Sequence, residues 1–162
     1  MTIRQTRPEE LDKVMAIYDA GREYMRQNGN MQQWINGYPD RVLIKADIEK
    51  GISYVAADEN DEPACVFAFM EGPDPTYGYI TDGNWPDDLP YSVIHRIAVS
   101  DHRKGIAGFV YDWCSQHCVS LRADTHRDNI PMQNSLLKNG FHYCGIIFIA
   151  DGSERMAFQK NS

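Results

Sequence analysis

Val93-Ile94-His95-Arg96-Ile97-Ala98-Val99-Ser100-Asp101-His102-Arg103-Lys104-Gly105-Ile106-Ala107-Gly108 is the stretch from which the fold of this chain is read. Its first half is rich in β-branched residues and predicts a strand over 91–99. The turn that follows brings Arg103 and Lys104 together with Gly105 and Gly108. Ile106, Val110, Trp113, Cys114 and His117 then recur at helical spacing, which predicts a helix over 105–118. A turn that opens a helix presents free backbone N–H groups and the positive end of the helix dipole, so it suits an anion, most often phosphate. Glycines there let the backbone come close to the anion. The competing reading is that Gly105 and Gly108 only permit tight helix–strand packing.

Composition narrows the class. A chain of 162 residues, 43% hydrophobic and 24% charged, suits one ordinary globular domain spanning 1–162. No apolar run approaches the roughly 18 residues of a membrane span, and the first residues lack the apolar core of a signal peptide, so a cytoplasmic protein without a membrane partner is expected. A net charge of −7 disfavours nucleic acid, whose phosphates want a basic face. The same charge would attract a cationic amine, or serve solubility alone. Cys114, His117 and Cys118 lie close in sequence, but His117 points elsewhere on a helix and no Cys-x-x-Cys occurs. Buried, reduced thiols and no metal site are therefore expected.

In chain order, 2–5 reads as a strand. Thr6 and Glu9 form a capping-box pattern before a helix whose face carries Leu11, Val14, Met15 and Tyr18. A loop over 28–40 leads to a second helix bearing Leu43, Ile44 and Ile48. Strands over 52–57 and 64–70, joined by a polar turn, read as an antiparallel hairpin. The irregular stretch 72–90 is too aromatic for disorder. Its Tyr77, Tyr79 and Trp85 either line a pocket or pin the loop to the body. After the central strand and helix come a strand over 119–124, a helix from Asn129 to Asn139 stopped by Gly140, and strands over 141–150 and 155–159. The pattern is one α/β domain, of the α+β kind.

Two motifs carry a family resemblance. His102-Arg103-Lys104-Gly105-Ile106-Ala107 resembles the acyl-CoA signature Arg/Gln-x-x-Gly-x-Gly/Ala of the GNAT N-acetyltransferase superfamily, with His102 in place of the usual Arg or Gln. Asn129, Leu136 and Gly140-Phe141 are similar to the second hallmark of that family, an Asn that opens a helix closed by Gly-Phe. The resemblance implies a mixed, mostly antiparallel sheet of about seven strands flanked by about four helices. Acyl-CoA would bind where the fourth and fifth strands splay. It further implies that backbone groups of Ile97 and Val99 hold the pantetheine and the thioester carbonyl. An N–H near Val99 would face the oxyanion. Arg103, Lys104, Gly105, Ile106, Ala107 and Gly108 would bind the pyrophosphate, and Asn129 would touch the pantetheine arm.

The implied activity is acetyl-CoA-dependent N-acetylation of a primary amine, either a small molecule or an amino terminus. The alternative is a non-catalytic acyl-CoA-binding module, and homodimers are frequent in the family. Amine acetylation needs a base with a pKa near neutrality. Strict alternation would put Tyr91, Val93, His95, Ile97 and Val99 on one face of the strand, with Arg96 on the other and paired with an acid. His95 is the favoured base. Glu71, beside the long loop, is the second choice, or a binder of the cationic amine. Many family members place a general-acid Tyr seven residues after the Asn. Here that position is Leu136, so Ser135, Tyr143 or a loop tyrosine would have to substitute, or water, or no dedicated acid.

Overall fold

The computed structural model describes residues 1–100 and 103–161. His102, and with it the departure from the family's signature, lies outside the described residues. Seven strands form one sheet: β1 (Thr2–Gln5), β2 (Ser53–Ala57), β3 (Pro63–Glu71), β4 (Ser92–Val99), β5 (Ser120–Thr125), β6 (His142–Phe148) and β7 (Glu154–Asn161). Their spatial order is β1-β2-β3-β4-β5-β7-β6. Every neighbouring pair is antiparallel except β4 and β5. Four α-helices accompany them: α1 (Leu11–Gln27), α2 (Arg41–Glu49), α3 (Ile106–Gln116) and α4 (Ile130–Lys138). Among the described residues no helix is long and apolar enough to cross a membrane.

Helices cover both faces. On one, Val14, Ile17, Tyr18 and Ile44 of α1 and α2 bury Val55, Val66 and Ala98 of the sheet. On the other, Ile106, Val110, Tyr111, Cys114 and Leu136 of α3 and α4 pack on Phe67, Ile94, Leu121, Ala123 and Phe158. The two apolar faces of each buried strand explain its near-continuous hydrophobic reading. The long loop closes the first face beyond α1. Tyr77 and Trp85 pack with Val93, Ile147 and Ala157, while Tyr79 is exposed. Trp85 and Tyr91 sandwich the Arg122 guanidinium at 4.0 and 3.9 Å, a cation–π contact that ties the loop to β5. Tyr77 and Trp85 thus pin the loop to the body.

Helix starts follow local chemistry. The Asp40 carboxylate accepts from the Leu43 N–H at 2.8 Å, and Asn129 caps α4 by accepting from Met132. The capping box before α1 is shifted by one residue from Thr6/Glu9. Glu10 accepts from the Arg7 N–H, because the buried Thr6 hydroxyl is already bonded to Ser53. All four cysteines are free thiols.

The alternation expected along the central strand fails. In the β3–β4 register His95 sits opposite Ala68 and Ala98 opposite Val66, so Arg96 and Ile97 together face one residue of β3. This is a β-bulge, and Arg96 takes the left-handed conformation at φ 53°. Side-chain parity therefore flips. Val93 and Ala98 lie in the clusters on the α1 face, whereas Ile94, Ile97 and Val99 pack toward α3. Ile97 and Val99 do not share the face of His95, as strict alternation would require. Arg96 reaches toward α2, donating to the Asp47 carboxylate from Nε at 3.1 Å and Nη2 at 2.8 Å, and from Nη1 to the Tyr38 hydroxyl at 3.3 Å. Asp47 is 2% exposed. Removing one member of a buried ion pair leaves the other uncompensated, so Asp47→Ala should destabilise the fold by about 3 kcal/mol. Urea unfolding of the two proteins checks this, and an unchanged midpoint would mean that the clamp is dispensable.

Candidate active site

β4 and β5 pair only at Ser92–Leu121 and Val93–Arg122. Beyond Val93 the strands part, and the backbone groups of β4 that face away from β3 have no strand opposite them. A cavity of about 490 Å³ opens at this notch. Ile94, His95, Arg96 and Ile97 form one lip; Asp124, Thr125, Asn129 and Met132 form the other. The 28–40 loop supplies a third wall through Gln33, Trp34, Ile35, Asn36 and Tyr38. That wall is tied to α1. Arg26 donates to the Asn30, Gln33 and Trp34 carbonyls, and Arg22 to those of Tyr38 and Pro39. Trp34 packs edge-on against Tyr18 with ring centroids 5.7 Å apart.

His95 lies between two carboxylates. Its Nε2 is 2.8 Å from Asp74 Oδ2, and its Nδ1 is 3.8 Å from Asp124 Oδ2. Asp74 also accepts from the backbone N–H and the hydroxyl of Thr76. Burial pushes the Asp74 carboxyl up, but the hydrogen bonds from His95 and Thr76 outweigh it and hold the pKa at about 2. An ionised carboxylate only accepts, so Nε2 carries the proton of this bond. In the neutral imidazole the lone pair is then on Nδ1. Tyr77 donates its hydroxyl to Asp124 Oδ2 at 2.7 Å. Burial, then the Asp124 charge, drives that phenol's pKa well up, so Tyr77 stays a donor.

The remaining expected site residues fall in different places. Ile97 and Asn129 line the cavity and Val99 does not. The Asn129 side chain is largely engaged: Oδ1 caps α4, and Nδ2 donates to Gln33 at 3.0 Å. Arg103, Lys104 and Gly105 are exposed at the turn. Gly105 is the N-cap of α3 at φ 85°, with open space where a Cβ would be and no side-chain cap. The N–H groups of Ile106, Ala107 and Gly108 follow it in the first turn, where no intrahelical acceptor exists. Gly108 is different, since a Cβ there would come within 2.8 Å of Asn139 Oδ1. The packing reading thus applies to Gly108, and the open, left-handed turn belongs to Gly105.

Glu71 is exposed at the end of β3 and is not among the cavity's lining residues; Asp74, three residues on, is. Tyr143 is also absent from the lining. Its hydroxyl donates to Asp82 at 2.7 Å, and burial, then Asp82, raises its pKa to about 12. Leu136, at the family's Tyr position, is fully buried in the α3–α4 core. Sequence reading missed Asp74, Asp124 and Gln33. Asp74 sits in Pro73-Asp74-Pro75-Thr76, a pattern of a capped turn. Asp124 alternates with apolar Leu121 and Ala123 on a strand predicted to be buried, which is the stronger of the two signals. Among the described residues no group of three or more His, Cys, Asp or Glu is arranged to hold a metal ion.

No family model and no curated protein matches the sequence. Solved structures do resemble it. A GNAT-family acetyltransferase from Streptococcus agalactiae superposes with a TM-score of 0.90 at 33% identity, over 99% of this chain and 95% of that one. A second, from Listeria monocytogenes, gives 0.71 at 17% identity over 99% and 94%. A chain of a NatC complex bound to Gag peptide and CoA gives 0.64 at 12% identity over 99% and 98%. The last two are likenesses of fold.

The Asp74 pKa has a consequence for stability. It lies below the ordinary value of 3.8. The ionised, hydrogen-bonded carboxylate therefore stabilises the fold above about pH 4, and this contribution is lost as the pH falls toward 2. In Asp74→Asn that dependence should vanish, leaving a flatter curve of urea midpoint against pH over this window. Parallel curves for the two proteins would contradict it.

Proposed function

The chain belongs to the GNAT acetyltransferase family, and on that premise we propose that it transfers the acetyl group of acetyl-CoA to a primary amine, a small molecule or an amino terminus, which attacks the thioester directly. The observation that carries this reading is the parting of β4 and β5 after Val93 with the His95–Asp74 pair on its lip. The α3 turn suits the cosubstrate's pyrophosphate: Gly105 is open and left-handed, no side chain among the described residues caps the first-turn N–H groups, and Arg103 and Lys104 add positive charge. The edge of Ile97 and Val99 that faces away from β3 suits the pantetheine, and the cavity beside it suits the acceptor.

Acetyl-CoA supplies an activated acyl group. The chain's own residues supply the rest. Asp74 and Asp124 favour entry of an ammonium group. His95 Nδ1 takes one proton from it, leaving a neutral nucleophile, while Asp74 holds the opposite ring nitrogen and so fixes the tautomer. The N–H near Val99 stabilises negative charge that develops on the carbonyl oxygen. With Leu136 in the core, no hydroxyl serves from that position. The proton for the departing thiolate would come from the imidazolium or from water.

Two measurements test the proposal. CoA and acetyl-CoA should raise the melting temperature by mass action, and Gly105→Asp should weaken CoA binding by about tenfold or more, because a carboxylate would meet phosphate. Unaltered affinity in a folded variant would reject the turn as the pyrophosphate site. In a thiol-release assay over an amine panel, His95→Ala should lower kcat by roughly a hundredfold or more and change the shape of the pH profile. An unchanged profile would remove His95 as the base. CoA binding with no turnover of any amine would favour the non-catalytic module.

A further inference from the structure

The cavity contains a cation that nothing above employs. Arg155 of β7 is 7% exposed and lines the cavity wall together with Ile149, Ala150 and Asp151. Its Nη1 donates to the Glu154 carbonyl at 2.8 Å and to Ser153 Oγ at 3.3 Å. Nε and Nη2 donate to no acceptor among the described residues, and no carboxylate among them lies within 4.0 Å of the guanidinium. Asp124 and Asp151 are the acids whose charges act on it. Both are already hydrogen-bonded elsewhere, Asp124 by Tyr77 and Asp151 by Ser153. Those two donors are not among the buried polar atoms, so they open to the solvent-filled cavity, where an incoming anion could take both. Arg155 also borders a smaller hollow of about 320 Å³ with His126 and Arg127. Glu154 is the acid lining that hollow, and only its backbone carbonyl accepts from Arg155.

Strand register gives the spacing. Asp124 pairs with Ala157, so Arg155 is its diagonal neighbour on β7 and points to the same face of the sheet. Diagonal neighbours have Cβ atoms roughly 7 Å apart, close enough for one small molecule to touch both side chains. The acceptor end of the cavity thus has two carboxylates and an imidazole on one side and, on the other, a guanidinium with two donors open among the described residues, beside Asp151, which Ser153 already engages. A simple amine would satisfy only the acidic half.

We propose that the acceptor is a small amine that also carries a carboxylate a few bonds from the nitrogen, an amino-acid-like molecule whose carboxylate binds Arg155 while its amine lies at Asp124 and His95. This rests on the acetyltransferase reading above and narrows it. A bidentate guanidinium–carboxylate pair explains the use of Arg at this point, since its planar fork matches the anion. A long peptide, whose carboxylate is remote from its amino terminus, does not complete the site.

The test compares each of a panel of free amino acids with its methyl ester and with a peptide that begins with the same residue, using wild-type protein and acetyl-CoA. The free acid that turns over best should exceed its ester by about tenfold or more in kcat/KM, because a neutral ester cannot form the guanidinium–carboxylate pair. In Arg155→Gln that ratio should fall toward one, and Arg155→Lys should keep part of it. Esters or peptides that match or beat the free acids in the wild type would overturn the inference while leaving the acetyltransferase reading intact. That comparison stands even if Arg155→Gln does not fold. If no amine is acetylated, the acetyltransferase reading fails, and the inference is decided by binding. With CoA present, N-acetyl amino acids should raise the melting temperature more than their methyl esters do, and equal shifts would reject it.

Discussion

The buried ion pair between Arg96 and Asp47 is the constraint on which the site depends. A strand running straight from Ser92 to Val99 would turn His95, Ile97 and Val99 to one side and stay aligned with its neighbours. The bulge at Arg96 breaks that alternation. A residue other than glycine in the left-handed region is strained, and here the strain is offset by two donations to one carboxylate oxygen of Asp47 on α2 and one to the Tyr38 hydroxyl. Before the bulge Val93 and His95 share one face and Ile94 takes the other; after it Ile97 and Val99 join the face of Ile94, while Ala98 returns to the α1 side. The bulge lies just beyond the point where β4 and β5 stop pairing, on the lip of the cleft.

Around that cleft the chain arranges groups of different charge at different depths. Arg103 and Lys104 stand exposed at the α3 turn, where the cosubstrate's pyrophosphate is proposed to bind. Asp74, His95 and Asp124 line the cavity, each with a partner that sets its orientation. Tyr77 holds Asp124, Thr76 holds Asp74, and Asp74 holds His95. This layered support explains why the long aromatic loop is ordered: its Asp74 and Tyr77 help build the site, while Trp85 and Tyr91 clasp Arg122 beneath it. Arg155 lines the cavity from another wall, and no carboxylate among the described residues is close enough to pair with it.

Much of this was legible beforehand because it is local. Glycine at the α3 turn, Asn129 at the start of α4 and the apolar periods of the helices each follow from neighbouring residues. His95 as a cavity residue was also readable, although the reason offered for it, common parity with Ile97 and Val99, is not the one that operates. Glu71 and Tyr143 show the limit. Both have suitable chemistry, but the sheet leaves one at an exposed strand end and gives the other to Asp82. Gly105 and Gly108 look alike in a motif and differ in space, one needing a left-handed turn and the other room for Asn139.

By itself the sequence determined the order and type of the elements, the polarity of the turn after the central strand and the family resemblance, because hydrophobic period, helix caps and glycine placement act over a few residues. Only the tertiary structure decided which carboxylates attend His95, that Arg96 closes a bulge through Asp47, and that Arg155 reaches the same cavity as Asp124. Those pairings join residues from 21 to 49 positions apart. Their distances are set by strand register and by the packing of helices on both faces, which no local pattern encodes.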